Sequence, residues 1–188
     1  MKHLTKSIAS FLLLSSFLLS LFGCSSSEKQ VTCPFTENTW ESTLEDVELS
    51  EGELLDSYYS SFNGTTYVYE KEYLGLTGTI KYMFDDEGKL KSMAWLYLPE
   101  SDEELEEVYA DLCNQTNKLY GKSGFDSDMT TAKGEVWYLE GGNILIGVMS
   151  TGINEAIQYQ FFHPEVSSSK PTNSQDNSKS AFEQIFQN

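Results

Sequence analysis

The side chains able to do chemistry form a short inventory: three cysteines (Cys24, Cys33, Cys113), two histidines and 29 acids in a chain of 188 residues. His3 lies in the N-terminal segment, so His163, beside Pro164, is the one imidazole of the rest. A single histidine cannot build a multi-histidine zinc site, and a Ser-His-Asp triad would have to use it. Glycoside hydrolysis needs two carboxyl groups at a set separation, but among so many acids no spacing singles out a pair. Asp126-Ser127-Asp128 begins like a calcium loop, and Asp85-Asp86-Glu87-Gly88 resembles one in composition. An EF-hand would need a glycine where Thr131 stands and a glutamate where Trp137 stands, so both read as turn or loop chemistry. No glycine cluster leads through Lys-Ser or Lys-Thr into a helix, as a phosphate loop requires. The sequence therefore predicts no catalytic residue, no cofactor site and no metal site.

Cys24 carries a different chemistry. It ends an apolar run from Ile8 to Phe22 that follows Lys2 and Lys6, the order of an export signal. A spanning helix needs about 20 apolar residues. This run is shorter and is diluted by Ser10, Ser15, Ser16 and Ser20, so cleavage is expected. The stretch Leu21-Phe22-Gly23-Cys24 resembles the lipobox of bacterial lipoprotein precursors. The resemblance places Leu21 at the −3 position, Gly23 at −1 and Cys24 at the acylated position; Phe22 departs from the small or short aliphatic residue usual at −2. It implies cleavage by signal peptidase II, a diacylglyceryl group on Cys24, acyl chains such as palmitate, and residence at the extracytoplasmic face of the cell membrane, or of an outer membrane where the organism has one. Each buried CH₂ of such chains contributes about 0.8 kcal/mol to anchoring.

Removing residues 1–23 removes two lysines and no acid, which takes the formal charge from −17 to about −19. All 12 basic residues are lysines. Arginine is the usual bidentate reader of phosphate and guanine, so composition argues against nucleic-acid binding. Acidity also repels anionic headgroups, leaving the lipid as the contact with the membrane. Cys33 and Cys113 form an even pair in a compartment where disulfides persist. A bridge closing a loop of about 80 residues would contribute roughly 4.5 kcal/mol on the chain-entropy model. Against it, Cys113 falls on the apolar face of a helix, where cysteine packs as a small hydrophobe. Both readings stay open at this point.

The elements follow from periodicity and punctuation. Residues 24–33 read as a polar tether, 34–164 as one globular domain and 165–188 as a disordered polar tail. Ser42-Thr43-Leu44-Glu45 is a capping box that predicts a first helix ending at Gly52, with Trp40 as a core anchor over its start. Strands are predicted at 65–73, with Tyr67, Tyr69 and Tyr73 on one side; after Gly78, with Ile80, Tyr82 and Phe84 together; and at 89–98. The last is apolar on both faces, with Leu90, Ala94, Leu96 and Leu98 against Met93, Trp95 and Tyr97, so it should be central. Ser101-Asp102-Glu103-Glu104 opens a helix over 102–120 whose Leu105, Val108, Tyr109, Leu112, Cys113, Thr116, Leu119 and Tyr120 share one face. A polar loop over 121–134 precedes strands at 135–139, 144–149 and 155–162.

Helix and three strands, twice, predict an α+β fold of two layers: an antiparallel sheet of about six strands with two helices on one face, in tandem α-β-β-β units. In element order over about 45–163 this is similar to the beta-lactamase inhibitor protein and to small outer-membrane assembly lipoproteins, a resemblance that carries no contact residue. The expected function is a membrane-anchored envelope lipoprotein with a non-enzymatic binding or assembly role toward an envelope protein or glycan. The alternatives are a hydrolase inhibitor, or a carboxylate-dependent envelope hydrolase. Two helices cover one sheet face, so Met93, Trp95 and Tyr97 are expected on the other as a binding face.

Overall fold

A computed structural model of the protein describes residues 31–60, 64–129, 132–150 and 154–167. The expected signal peptide at 1–23, most of the expected tether and most of the expected tail lie outside the described residues. The elements are α1 (Leu44–Glu51), β1 (Leu54–Ser60), β2 (Gly64–Tyr73), β3 (Leu76–Asp85), β4 (Leu90–Tyr97), α2 (Asp102–Tyr120), β5 (Phe125–Met129), β6 (Ala132–Trp137), β7 (Ile144–Ser150) and β8 (Glu155–Phe162), then a 3₁₀ turn over Pro164–Val166. The fold is α+β. All eight strands join one antiparallel sheet in the order β1-β2-β3-β4-β8-β7-β6-β5.

Eight strands replace the six expected, and the two additions are the outermost. β1 reads Leu-Leu-Asp-Ser-Tyr-Tyr-Ser and β5 reads Phe-Asp-Ser-Asp-Met, and neither alternates. Strands at a sheet edge have one partner and are under less pressure to keep a buried side, so the period-2 signal fades there. β5 also replaces part of the loop predicted over 121–134. The strand with two apolar faces is central as expected: β4 lies between β3 and β8, and Ser92, Met93, Ala94 and Trp95 are all buried. A register shift against β3, where Met83 faces Ser92 and Phe84 faces Leu90, turns Leu90 to the side of Met93.

α2 has the predicted limits. The Ser101 hydroxyl accepts the Glu104 N–H at 3.2 Å and Gly121, at φ 86°, caps the other end. Leu105, Tyr109, Leu112, Cys113 and Thr116 are buried, whereas Leu119 is exposed. α1 begins one residue later than predicted: Thr43 is its N-cap and Asp46 its reciprocal partner, the Thr43 N–H reaching Asp46 Oδ2 at 2.8 Å. One aromatic-rich apolar cluster joins Val47 of α1 and the buried residues of α2 to Tyr69, Ile80, Tyr82, Trp95, Ile146, Tyr159 and Phe161 of the sheet. The folded region is wider than 34–164. Val31 and Cys33 are buried in that cluster, and Ser167 Oγ donates to the His163 carbonyl at 3.0 Å while accepting the Asn143 N–H at 2.8 Å.

Candidate binding edge and the polar corner beside it

Met93, Trp95 and Tyr97 do share a face, but it is the core face. They are 2, 0 and 8 % exposed and belong to the cluster that contains both helices' buried residues. Cross-strand register explains the choice: Tyr69, Ile80, Trp95, Tyr159 and Ile146 form one row of large side chains, and burying it removes far more apolar surface than burying the opposite row of Val68, Lys81, Ala94, Gln160 and Leu145. Trp95 stacks on Tyr97 with ring centroids 5.6 Å apart, and its indole N–H donates to the Lys71 carbonyl at 3.2 Å. Gly78 permits this, since a Cβ there would lie 2.8 Å from the indole nitrogen. The Tyr97 hydroxyl donates to Glu104 at 2.5 Å, tying β4 to the first turn of α2. None of the three is placed to meet a ligand.

No disulfide joins Cys33 and Cys113; both are buried thiols. Burial pushes the Cys33 thiol well up, against backbone N–H groups of Phe35 and Thr36 that act to lower it. His163 caps the 3₁₀ turn, its Nδ1 accepting the Glu165 N–H at 3.1 Å and its ring edge-on to Trp40. Among the described residues, no group of three or more His, Cys, Asp or Glu is arranged to hold a metal ion. Asp126 to Asp128 run within β5 rather than in a loop.

The chemistry missed in the sequence gathers where α1 turns into β1. Glu51 ends α1, and its side chain is 2 % exposed. Its Oε2 accepts Lys71 Nζ at 2.8 Å, and its Oε1 accepts the Tyr82 hydroxyl at 2.5 Å and the Thr36 hydroxyl at 3.0 Å. Asn38 Nδ2 donates to Ser50 Oγ at 2.9 Å and to the Tyr82 oxygen at 3.0 Å, closing the network. Burial and the hydrogen bond to Glu51 raise the Tyr82 hydroxyl far above its ordinary range. Beside the network opens a cleft of about 360 Å³ lined by Pro34, Phe35, Thr36, Glu37, Ser50, Glu51 and Lys71. Every polar group named in this network has a partner within it, which makes it a corner brace. No sequence signal points to it, because the groups that meet on Glu51 are 15, 20 and 31 residues away.

β1 follows the corner in the chain and lies at one end of the sheet. β1 pairs with β2 from Leu54 opposite Tyr69 to Ser60 opposite Gly64, with Leu55 left at a bulge, and no described strand pairs with its outer side. Leu54, Leu55, Tyr58 and Tyr59 are 42, 54, 42 and 66 % exposed. Natural edge strands are usually blunted by lysine, proline or a cover. β1 has neither residue; its devices are the bulge and the single charge of Asp56. An edge of this kind offers a row of backbone donors and acceptors flanked by apolar side chains, the requirement for accepting an added strand. Compared with known proteins, the chain matches no family model, no curated protein and no solved structure.

Proposed function

We propose that the chain is a bacterial envelope lipoprotein, anchored through acylated Cys24 at the extracytoplasmic face of the membrane, whose domain binds another protein by strand addition at β1. The observation that carries the binding role is the exposed, unblocked β1 edge with its four large apolar side chains. The residues Leu21 to Cys24 support the anchor. A backbone edge favours a polypeptide over a glycan, because its alternating N–H and C=O groups match an extended peptide. Acidity keeps the domain off anionic lipid, leaving the edge open to an envelope partner. No named side chain is assigned a catalytic step.

The architecture belongs to the same reading. Two α-β-β-β-β units, α1 with β1–β4 and α2 with β5–β8, join through the β4–β8 pair, with both helices layered on the aromatic side. The symmetric strand order and the single cluster shared by both helices support it. Such a sheet has two edges, and the proposal gives β1 the binding role.

The test uses envelopes solubilised in mild detergent. The protein should incorporate labelled palmitate, and Cys24→Ser should abolish both the label and the membrane fraction. On native gels the wild type should migrate in a complex larger than itself, and the Leu55→Lys/Tyr59→Lys variant as the lone protein. Retention of Cys24→Ser on the membrane contradicts the anchor; identical migration of the wild type and the edge variant contradicts the binding edge.

A further inference from the structure

The chemistry around β1 narrows the partner, on the premise that this edge binds. The strand of seven residues spans about 23 Å at roughly 3.3 Å per residue, enough for a partner segment of similar length. Register places Leu54, Ser57 and Tyr59 on one side of the sheet and Asp56 and Tyr58 on the other. Apolar residues therefore stand on both faces of the edge.

Carboxylates outnumber lysines along the same edge. Exposed Glu53 precedes the strand, exposed Asp56 lies within it, and Asp86 accepts the Tyr59 hydroxyl at 3.4 Å. Of the neighbouring lysines, Lys71 is paired with Glu51 at 2.8 Å, and Lys81 brings one positive charge to the strand, its Nζ 5.7 Å from the centroid of the Tyr58 ring. Three carboxylates at the head, middle and far end of the strand, against the one ammonium of Lys81, leave the edge net negative. We infer that the segment added to β1 is an extended stretch of another protein in which apolar residues alternate with lysine or arginine. Cross-strand pairs of opposite charge stabilise a ladder and like pairs destabilise it. A second copy of this chain is the poorer occupant, since it brings another Asp56 to the edge and a net charge of −17 per full-length chain against the same charge.

The test uses the full-length lipidated protein in detergent and three fluorescent octapeptides: alternating valine and lysine, alternating valine and glutamate, and the valine-lysine peptide N-methylated at every second residue. Fluorescence anisotropy should show the valine-lysine peptide binding at least about tenfold more tightly than either of the others, and Leu55→Lys/Tyr59→Lys should lose that binding. Leu55 and Tyr59 are exposed, so the variant should keep the wild-type circular dichroism and melting midpoint. Equal affinity for the lysine and glutamate peptides overturns the charge inference while leaving the edge reading standing. Binding unaffected by N-methylation assigns the contact to charge adsorption and overturns it too. A dimer in sedimentation velocity that the lysine peptide does not dissociate gives the edge to self-association, against the inference.

Discussion

At the residue scale, the informative group is Glu51. A carboxylate in the last turn of a helix faces the negative end of the helix dipole, and burial adds a desolvation cost. It is held there because Lys71, Tyr82 and Thr36 all donate to it. Removing one donor should cost what a hydrogen bond to a buried charge is worth: Tyr82→Phe should lower stability by about 1.5–3 kcal/mol, read from denaturant midpoints at unchanged slope. A change under about 0.5 kcal/mol would mean that the corner is solvated in solution. Tyr97 and Glu104 make a second, part-buried case. The Tyr97 hydroxyl, then the Glu100 N–H, hold the Glu104 carboxyl below its ordinary range, and Tyr97 itself is pushed up to about 12. A carboxyl depressed on folding contributes stability that is present above its unfolded pKa and is lost as pH falls through the lower folded value. Tyr97→Phe should therefore move the Glu104 midpoint back up in an NMR titration; an unmoved midpoint would assign the depression to the backbone alone. The buried thiols should resist a thiol reagent in the native state and react after unfolding, with no mass change on reduction. A native mass two hydrogens lower than the reduced one would mean that Cys33 and Cys113 are bridged.

Among the elements, α2 was readable to the residue because its information is local: Ser101 before it, Gly121 after it, and apolar residues at three- and four-residue spacing between. The spacing misjudged Leu119 in its last turn, which is exposed. Leu112→Ala should cost about 2–5 kcal/mol through the cavity it leaves, and Leu119→Ala under about 0.5 kcal/mol. Equal effects would put the helix in the wrong phase. The β2–β3 hairpin carries a local conflict that sequence alone hides. Leu74 sits at φ 55° ahead of Gly75 at φ 77°, a pair of left-handed residues that a two-residue hairpin turn usually fills with Asn-Gly. Leu74→Asn should raise stability by about 0.5–1 kcal/mol, since asparagine tolerates that backbone better and the leucine is exposed. A lower melting midpoint would show that Leu74 makes a contact that outweighs its strain. β1 was missed for the opposite reason to α2: its fate depends on β2, on the Glu51 corner and on its place at the end of the sheet, none of which its own residues record.

For the whole molecule, the sequence conveyed the α+β class and the central strand, each of which rests on composition or short spacing. Which face of β4 packs in the cluster with the helices was not readable, because both of its faces are apolar and the choice is made by the total area of rows contributed by four other strands. The binding surface followed from that error. Once Met93, Trp95 and Tyr97 are in the core, the exposed apolar side chains on β1 become the surface to explain. The most direct measurement places a photo-crosslinking amino acid at Tyr59 and, as a control, at exposed Glu103 on α2, and irradiates intact cells. The account predicts a discrete adduct from position 59, lost when Leu55→Lys is added, and none from position 103. No adduct at 59, or the same adduct from both positions, would contradict a binding role for the β1 edge.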